Sequence, residues 1–480
     1  MKTVIIVNKK SDIDFDDAQV DILEADEYLV NANHLRHSVR VFNLCRDLSY
    51  CKKGYYVSLI AEARGHRPLP NVLTMMDLQL QSVTRFIAEN FELQLEKLFS
   101  SISSNTFELS IYFGQNLAQK YNQLSRQIFS QFKAPLMRAF FIKKGGFWSI
   151  QRVKVLSLKD VPENHKEFLY SAMRNYFAKS NSISKRRKLT RYDLAILLNP
   201  EEKHPPSDRG AIKKFISAAQ DCRIAAEIIT PKDLPLLPQF DALFIRETTS
   251  VTDHTFQFAR LSEEDGLICI DDTTSILRCC NKIYLNYSLQ KRCIPIPATQ
   301  IIAKGTDLSS LKLPFPIVVK KPDSAFSLGV KKAEDKDELQ DICKEYFKHT
   351  DLIICQEFMP TTFDWRIGII DGEPIYACKY YMARDHWQII NQSKTKMDSG
   401  DVDVSSIGDA PKEAIKLAIE ASRCIGNSLY GIDIKEKNGK FYIIEVNDNP
   451  SIEKGYEDKI AQDYLYRRIM ETFYKRLEMR

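Results

Sequence analysis

Gly431-Ile432-Asp433-Ile434, followed beyond the dipeptide Asn438-Gly439 by Tyr442-Ile443-Ile444-Glu445-Val446-Asn447-Asp448-Asn449-Pro450, is the stretch that decides how this chain folds. Two apolar runs flank an Asn-Gly pair, a strong short-range signal for an antiparallel hairpin. Glu445 and Asn447 stand two apart, so on a strand they share one face. A glutamate in the middle of an apolar strand needs a partner or a cation. Asp433, Glu445 and Asn447 together offer two carboxylates and an amide. These hard oxygen donors suit a magnesium or manganese ion held jointly with nucleotide phosphates. The plainer reading makes them solvent-facing polar residues of an amphipathic strand, and register decides between the two. An ideal two-residue turn pairs Lys437 with Lys440 and sets Asp433 opposite Ile444, its carboxylate turned away from Glu445. A three-residue loop pairs Lys437 with Phe441 and sets Asp433 opposite Glu445. The metal reading therefore predicts an odd-length loop or a bulge, with Asn438 or Gly439 at positive φ.

Two further segments carry chemistry of the same kind. Pro316-Ile317-Val318-Val319-Lys320-Lys321 is an apolar strand ending in lysine and running into Asp323 to Leu328, a small polar loop able to set an ammonium and backbone N–H groups against phosphate oxygens. Adjacent strand residues face opposite ways, so only one of the two lysines reaches such a site. Leu352-Ile353-Ile354-Cys355-Gln356-Glu357-Phe358-Met359 is an apolar strand whose end can present backbone groups to an adenine edge, with Asp364 close by for ribose hydroxyls. The chain has no GxxxxGK[ST], GxGxxG, HExxH or GxSxG signature.

Taken in order, these segments resemble the ATP-grasp superfamily, and within it the RimK-like ligases that join glutamate to a peptide or protein amine. Asn281-Lys282 with Ile296-Pro297-Ala298-Thr299 resembles the opening lysine segment, and Lys320 with Gly329-Val330 the second lysine and its phosphate loop. Gln356-Glu357-Phe358 resembles the adenine hinge, Asp364-x-Arg366 the ribose acid and the arginine after it, and Gly431-x-Asp433 and Glu445-x-Asn447 the metal segments. The resemblance implies ATP and magnesium or manganese as cofactors. It implies nucleotide contacts from Lys282, Lys320, Ser324, Ser327, Gln356, Glu357, Phe358, Asp364 and Lys379, and metal ligands Asp433, Glu445 and Asn447. It further implies Lys282, Lys320, Arg366 and Arg246 as the catalytic set. The two arginines are offered as carboxylate clamps because a guanidinium fork matches a carboxylate bidentately. The implied reaction is ATP-dependent amide formation through an acyl phosphate, joining an amino-acid carboxylate to a peptide, protein or small-molecule amine. This sequence departs from the family pattern in a loop poorer in glycine and in the ending Asn447-Asp448-Asn449-Pro450-Ser451.

The expected fold is α/β (α+β) in three parts. Residues 281–480 form the ATP-grasp domain. Residues 190–280 show the strand–helix alternation of a small parallel α/β domain. Residues 1–180 resemble, through Gly54-Tyr55-Tyr56-Val57-Ser58-Leu59-Ile60-Ala61-Glu62-Ala63-Arg64-Gly65-His66, the extra N-terminal α/β domain fused to some RimK-like proteins. Further hairpins are expected at Gly145-Gly146 and Asp371-Gly372, a long helical pattern at residues 78–99, and an irregular connection at residues 230–239, where three prolines stand. A length of 480 residues accommodates several domains. The balance of 68 basic and 63 acidic residues gives no overall case for a nucleic-acid partner. Lys185, Arg186, Arg187, Lys188 and Arg191 read as a solvated linker. Eleven scattered cysteines without ligand spacing fit a reducing cytosol, and no apolar run is long enough for a membrane. A cytoplasmic enzyme is expected, with self-association left open. Two other readings share the nucleotide segments, namely an ATP-grasp kinase or small-peptide synthetase and a non-enzymatic nucleotide-binding regulator.

Overall fold

The computed structural model describes residues 2–18, 20–31, 39–78, 92–179, 190–323, 329–383, 386–391 and 398–479. The chain forms two compact units, Met1–Tyr192 with Lys232–Gln239 and Arg480, and Asp193–Pro231 with Phe240–Met479.

The first unit holds two sheets. Strands β1 (Lys2–Val7), β2 (Val20–Glu24), β3 (Val39–Asn43) and β4 (Arg67–Leu69) pair in parallel in the order β2-β1-β3-β4. Val4, Ile6, Val39 and Val41 pack on one face against Val57 and Ala61 of the helix Lys53–Ala63. Strands β5 (Thr106–Tyr112), β6 (Leu136–Lys144) and β7 (Phe147–Val155) form an antiparallel meander. Its inner residues Leu109, Met137, Ala139, Phe141, Trp148, Ile150 and Val153 share a core with Leu124, Ile128 and Phe129 of the helix Asn122–Phe132 and with Leu169, Met173 and Phe177 of Lys166–Lys179. Gly145 and Gly146 both take positive φ, as a two-residue turn matched to strand twist requires. The helical pattern expected at 78–99 is present as Glu92–Leu98, while 79–91 lie outside the described residues. The segment read as irregular at 230–239 is a 3₁₀ helix, Pro231–Gln239, because proline pre-sets φ in the helical range even where its missing N–H prevents an α ladder.

The second unit begins with β8 (Tyr192–Leu197), β9 (Ile224–Ile229), β10 (Ala242–Ile245) and β11 (Ile268–Ile270), in the order β9-β8-β10-β11. Numbered by strand sequence this is the same 2-1-3-4 order as the first unit's parallel sheet, a repeat of topology that the sequence does not show. An antiparallel sheet follows, of β12 (Thr299–Ala303), β13 (Ile317–Lys320), β14 (Val330–Ala333) and β15 (Leu352–Glu357), in the order β12-β15-β13-β14. The last large sheet has β16 (Phe363–Ile370), β17 (Glu373–Tyr381), β20 (Val402–Ser405), β21 (Leu429–Lys437) and β22 (Lys440–Asp448), in the order β20-β17-β16-β21-β22. Two short strands, β18 (Ile390–Asn391) and β19 (Asp398–Ser399), pair beside it. One face of the five-stranded sheet, with Trp365, Ile367, Ile369, Ile432, Ile434 and Val446, packs on Ala414, Ala418, Ala421 and Ile425 of the helix Lys412–Ile425. The opposite face carries Asp364, Arg366, Asp433 and Glu445. No helix among the described residues is long and apolar enough to cross a membrane.

Candidate functional site

The site is built on the hairpin β21–β22. Its turn is the ideal two-residue one, with Lys437 paired to Lys440, Asn438 at φ 54° and Gly439 at φ 71°. A bulge then shifts the register: Ile434 pairs with Ile443, Asp433 pairs with Glu445, and Ile444 is the extra residue. The loop is therefore not lengthened, and the bulge alone brings the two carboxylates opposite each other. Asn447 pairs with Gly431 and donates from Nδ2 to Asp433 Oδ2 at 3.1 Å and to Gly431 O at 3.3 Å. A side chain at Gly431 would meet Pro450 at 2.7 Å, so the strand end can close over this position only at glycine.

Cations neutralise both carboxylates. Arg366, paired with Asp433 across β16 and β21, holds it with a two-pronged fork, Nε at 2.6 Å and Nη2 at 2.8 Å. Lys282 Nζ donates to Glu445 Oε1. Asn281 caps the helix Lys282–Lys291, and Lys282 N bonds Pro322 O at 2.8 Å, which fixes that lysine beside the end of β13. Lys320 Nζ donates to Gln356 Oε1 at 2.8 Å, while Lys321 turns the other way, with Nζ 4.9 Å from the Tyr346 ring centre. Burial, assisted by Lys282 and Lys435, lowers Lys320 to about 8 against the opposing pull of Glu445. Burial works against the charge on Glu445, but Lys282, Lys320 and Arg366 outweigh it and hold that carboxyl below its usual range.

Three ion pairs run along the polar face of β21. Asp433 meets Arg366, Lys435 meets Asp364 at 2.7 Å, and Lys437 meets Glu357 of the facing sheet at 3.3 Å. Lys435 and Lys437 were missed from sequence, although their period-two spacing after Asp433 was the available signal. Glu357 N bonds Ala298 O at 2.8 Å, and Phe358 stacks edge-on to Trp387 at 5.8 Å. Asp448, the last residue of β22, accepts from Thr249 Oγ1 at 2.7 Å; burial, with Asp272 and Glu445 nearby, pushes it up to about 7.

Two readings need correction. Arg246 is fully buried and spends its fork inside the protein, on Asn449 Oδ1 (2.6 Å), Pro450 O (2.8 Å), Pro206 O (2.9 Å) and Ser207 Oγ (2.8 Å). It clamps a turn, and its guanidinium is not presented to a substrate. Lys379 pairs with Trp365, so it lies on the helix-covered face, its Nζ 4.8 Å from the Phe363 ring centre and 5.0 Å from that of Trp365. The cause is a second bulge, at Ile375 beside Pro374, without which Lys379 would stand opposite Asp364 on the polar face. Ser324 and Ser327 lie outside the described residues.

Among the described residues no three His, Cys, Asp or Glu side chains cluster as a metal site of their own. The donor set nevertheless fits a magnesium ion that takes its remaining ligands from nucleotide phosphates and water, which is how that ion is commonly held. Two oxygen-donor carboxylates face each other, an amide lies beside them, and Lys282 and Lys320 both act on Glu445.

The sequence pattern of the RimK-like ATP-grasp domain matches residues 280–464, and that of the RimK-like ATP-grasp N-terminal domain matches residues 25–172. The alpha-aminoadipate–LysW ligase LysX of Saccharolobus solfataricus is 30% identical over 200 residues, covering 40% of this chain and 69% of that protein. This chain belongs to the RimK-like ATP-grasp family. It is an ATP-dependent ligase of the carbon–nitrogen bond-forming kind. The coenzyme gamma-F420-2:alpha-L-glutamate ligase of Methanococcus maripaludis is 26% identical over 216 residues, covering 43% of this chain and 71% of that one. Among solved structures, D-alanine–D-alanine ligase from Bacillus anthracis complexed with ATP aligns over 60% of this chain and 99% of its own, at 17% identity and a TM-score of 0.48.

Proposed function

We propose that this RimK-like ligase joins glutamate, or a similar amino acid, to the amine of a peptide, protein or small molecule. Residues 281–480 act as the catalytic domain, residues 190–280 as the parallel domain before it, and residues 1–180 as an accessory domain. The observation that carries the reading is the bulge at Ile444, which sets Asp433 opposite Glu445 with Lys282 and Lys320 converging on the same carboxylate. Glutamate as the amino acid is supported by the likeness to the coenzyme gamma-F420-2:alpha-L-glutamate ligase, and a similar amino acid by the likeness to the alpha-aminoadipate–LysW ligase.

In this reading a substrate carboxylate oxygen attacks the γ-phosphorus of ATP and ADP leaves. The amine nitrogen then attacks the acyl carbon, phosphate departs, and the nitrogen gives up a proton. Lys282 and Lys320 neutralise charge on the transferring phosphoryl oxygens, a task of positioning and electrostatics with no covalent part for the protein. Magnesium, when bound by Asp433, Glu445 and Asn447, supplies further charge neutralisation. Gln356, Glu357 and Phe358 edge the adenine, and Asp364 serves the ribose after exchanging its bond to Lys435. Arg366 keeps Asp433 in place through Nε and Nη2, and Nη1, outside that fork, is assigned to the substrate carboxylate.

ADP release measured over a panel of amino acids, with and without peptide amines, tests this, the products being read by mass spectrometry. An amide product at one ADP per bond is expected. A stable phosphorylated product makes the protein a kinase, and tight ATP binding without ADP release under any pairing makes it a regulator.

A further inference from the structure

The outer face of the meander β5–β6–β7 presents a strongly basic surface. Cross-strand register sets Ser110, Arg138 and Lys154 in one row, Glu108, Phe140 and Arg152 in the next, then Thr106, Ile142 and Ser149, and last Lys144 with Phe147. A bulge at Gln151 keeps Arg152 on this face beside Phe140. Arg152, Lys154, Lys144 and Phe147 are exposed, Phe147 to 71%, while the alternate residues Ala139, Phe141, Trp148 and Ile150 fill the core beneath. Against the four cations stand two carboxylates among the described residues, Glu108, loosely paired with Arg138 at 3.9 Å, and Asp160, whose charge Arg138 and Lys154 both stabilise. β7 is also an edge strand of nine residues; Glu96 Oε1 takes its Trp148 N–H at 2.6 Å, and the backbone beyond that point can pair with an incoming extended chain.

We infer that this face docks an acidic polypeptide segment in extended conformation, laid along β7 with its carboxylates on Arg138, Arg152, Lys154 and Lys144 and an apolar side chain on Phe147. The charge calls for an acidic partner, and the rings choose between the two acidic polymers. A single-stranded nucleic acid stacks successive bases on bare aromatic faces. Here the Arg152 guanidinium already covers Phe140 at 4.3 Å, which leaves Phe147 as the one bare ring of the face. A peptide needs no stacking platform, and its carboxylates meet guanidinium forks directly. The surface shares no residue with the ATP-grasp domain, so the inference holds whatever amino acid the ligase activates.

Fluorescence anisotropy of the full chain with a labelled peptide of alternating glutamate and threonine, about as long as β7, provides the test. Binding with a Kd on the order of 10 µM, weakening as salt is raised, is expected. Arg152→Glu combined with Lys154→Glu should raise that Kd about tenfold or more, and Phe147→Ser several-fold, with ADP release unchanged. Both changes fall on exposed side chains, and circular dichroism confirms that the variants fold. Equal binding by the charge-reversed variant, tighter binding of oligouridine than of the peptide, or no binding of the peptide to the wild type each overturns the assignment.

Discussion

The hairpins β16–β17 and β21–β22 are neighbours in one sheet and share one design. Each turns on a two-residue loop with both residues at positive φ, Asp371-Gly372 in the first and Asn438-Gly439 in the second, and each carries a single bulge in its returning strand. The outcomes are opposite. The bulge at Ile444 rotates Glu445 onto the polar face opposite Asp433, while the bulge at Ile375 rotates Lys379 off that face and onto the rings of Phe363 and Trp365. A shift of one residue thus decides which charged side chains are chemically available, because side-chain period is two and every residue beyond the bulge changes face.

The sharpest way to break this comparison is to remove one charged group from each hairpin. Glu445→Gln should preserve the fold and lower turnover by something on the order of 10² or more, the scale of losing one electrostatic contributor to a transition state. Lys379→Ala should stay within a few-fold of wild type in ADP release. If the lysine variant proved the more damaged, the face assignment would be wrong.

The two hairpins also differ in how their ends are held. The strand end after β22 is gripped by the buried Arg246, whereas the turn after β16 is tied by Arg476 to Asp371 at 2.5 Å near the surface. Arg246→Ala strands the Asn449 amide and the Pro206 and Pro450 carbonyls, and should lower unfolding free energy by roughly 2 to 4 kcal/mol. Arg476→Ala removes a partly exposed pair and should cost about 1 kcal/mol or less. Denaturant titration of both variants distinguishes them, and equal losses would mean that Arg246 is not the clamp its bonds describe.

At the end of β13 the same contrast narrows to adjacent residues. Lys320→Ala is expected to weaken ATP binding by about tenfold, the worth of one charge-assisted contact, while Lys321→Ala, which loses only its place over Tyr346, leaves it intact. Calorimetric titration with ATP gives the answer, and the reverse pattern would put the strand register off by one.

What could be read from sequence followed from local signals. Asn-Gly, Asp-Gly and Gly-Gly pairs located the three hairpins with two-residue turns, alternating apolar runs located the strands, and two carboxylates in apolar strands announced a charged site. The need for Asp433 to face Glu445 even foretold an irregularity in register. Lys379 was misplaced because nothing in its own neighbourhood marks the bulge at Ile375, apart from a proline whose missing N–H weakens the ladder there. Arg246 was misread for a different reason. Its ligands, Pro206, Ser207, Asn449 and Pro450, come from segments about 40 and 200 residues away, and no local pattern records a contact of that range.

The smallest expected effect lies in the pH dependence of nucleotide binding. An ordinary lysine loses its proton only at about pH 10.4. Lys320 is lowered to about 8, chiefly by burial, so the free protein sheds that proton as pH rises through this value. Phosphate recognition requires the ammonium form, and binding ATP must therefore restore the proton on the alkaline side. The sign follows from linkage: below about pH 8 the lysine is already charged and affinity is flat, whereas above it affinity falls, levelling off at about the tenfold that the charged contact is worth. Between pH 8 and pH 9 the loss should amount to a few-fold. Titrations in buffers of differing ionisation enthalpy should show proton uptake on binding above pH 8 and almost none at pH 7. In Lys320→Ala both the uptake and the slope should vanish, because the titrating group is gone. A slope that survives in that variant assigns the proton to another group and removes Lys320 from the phosphate contacts.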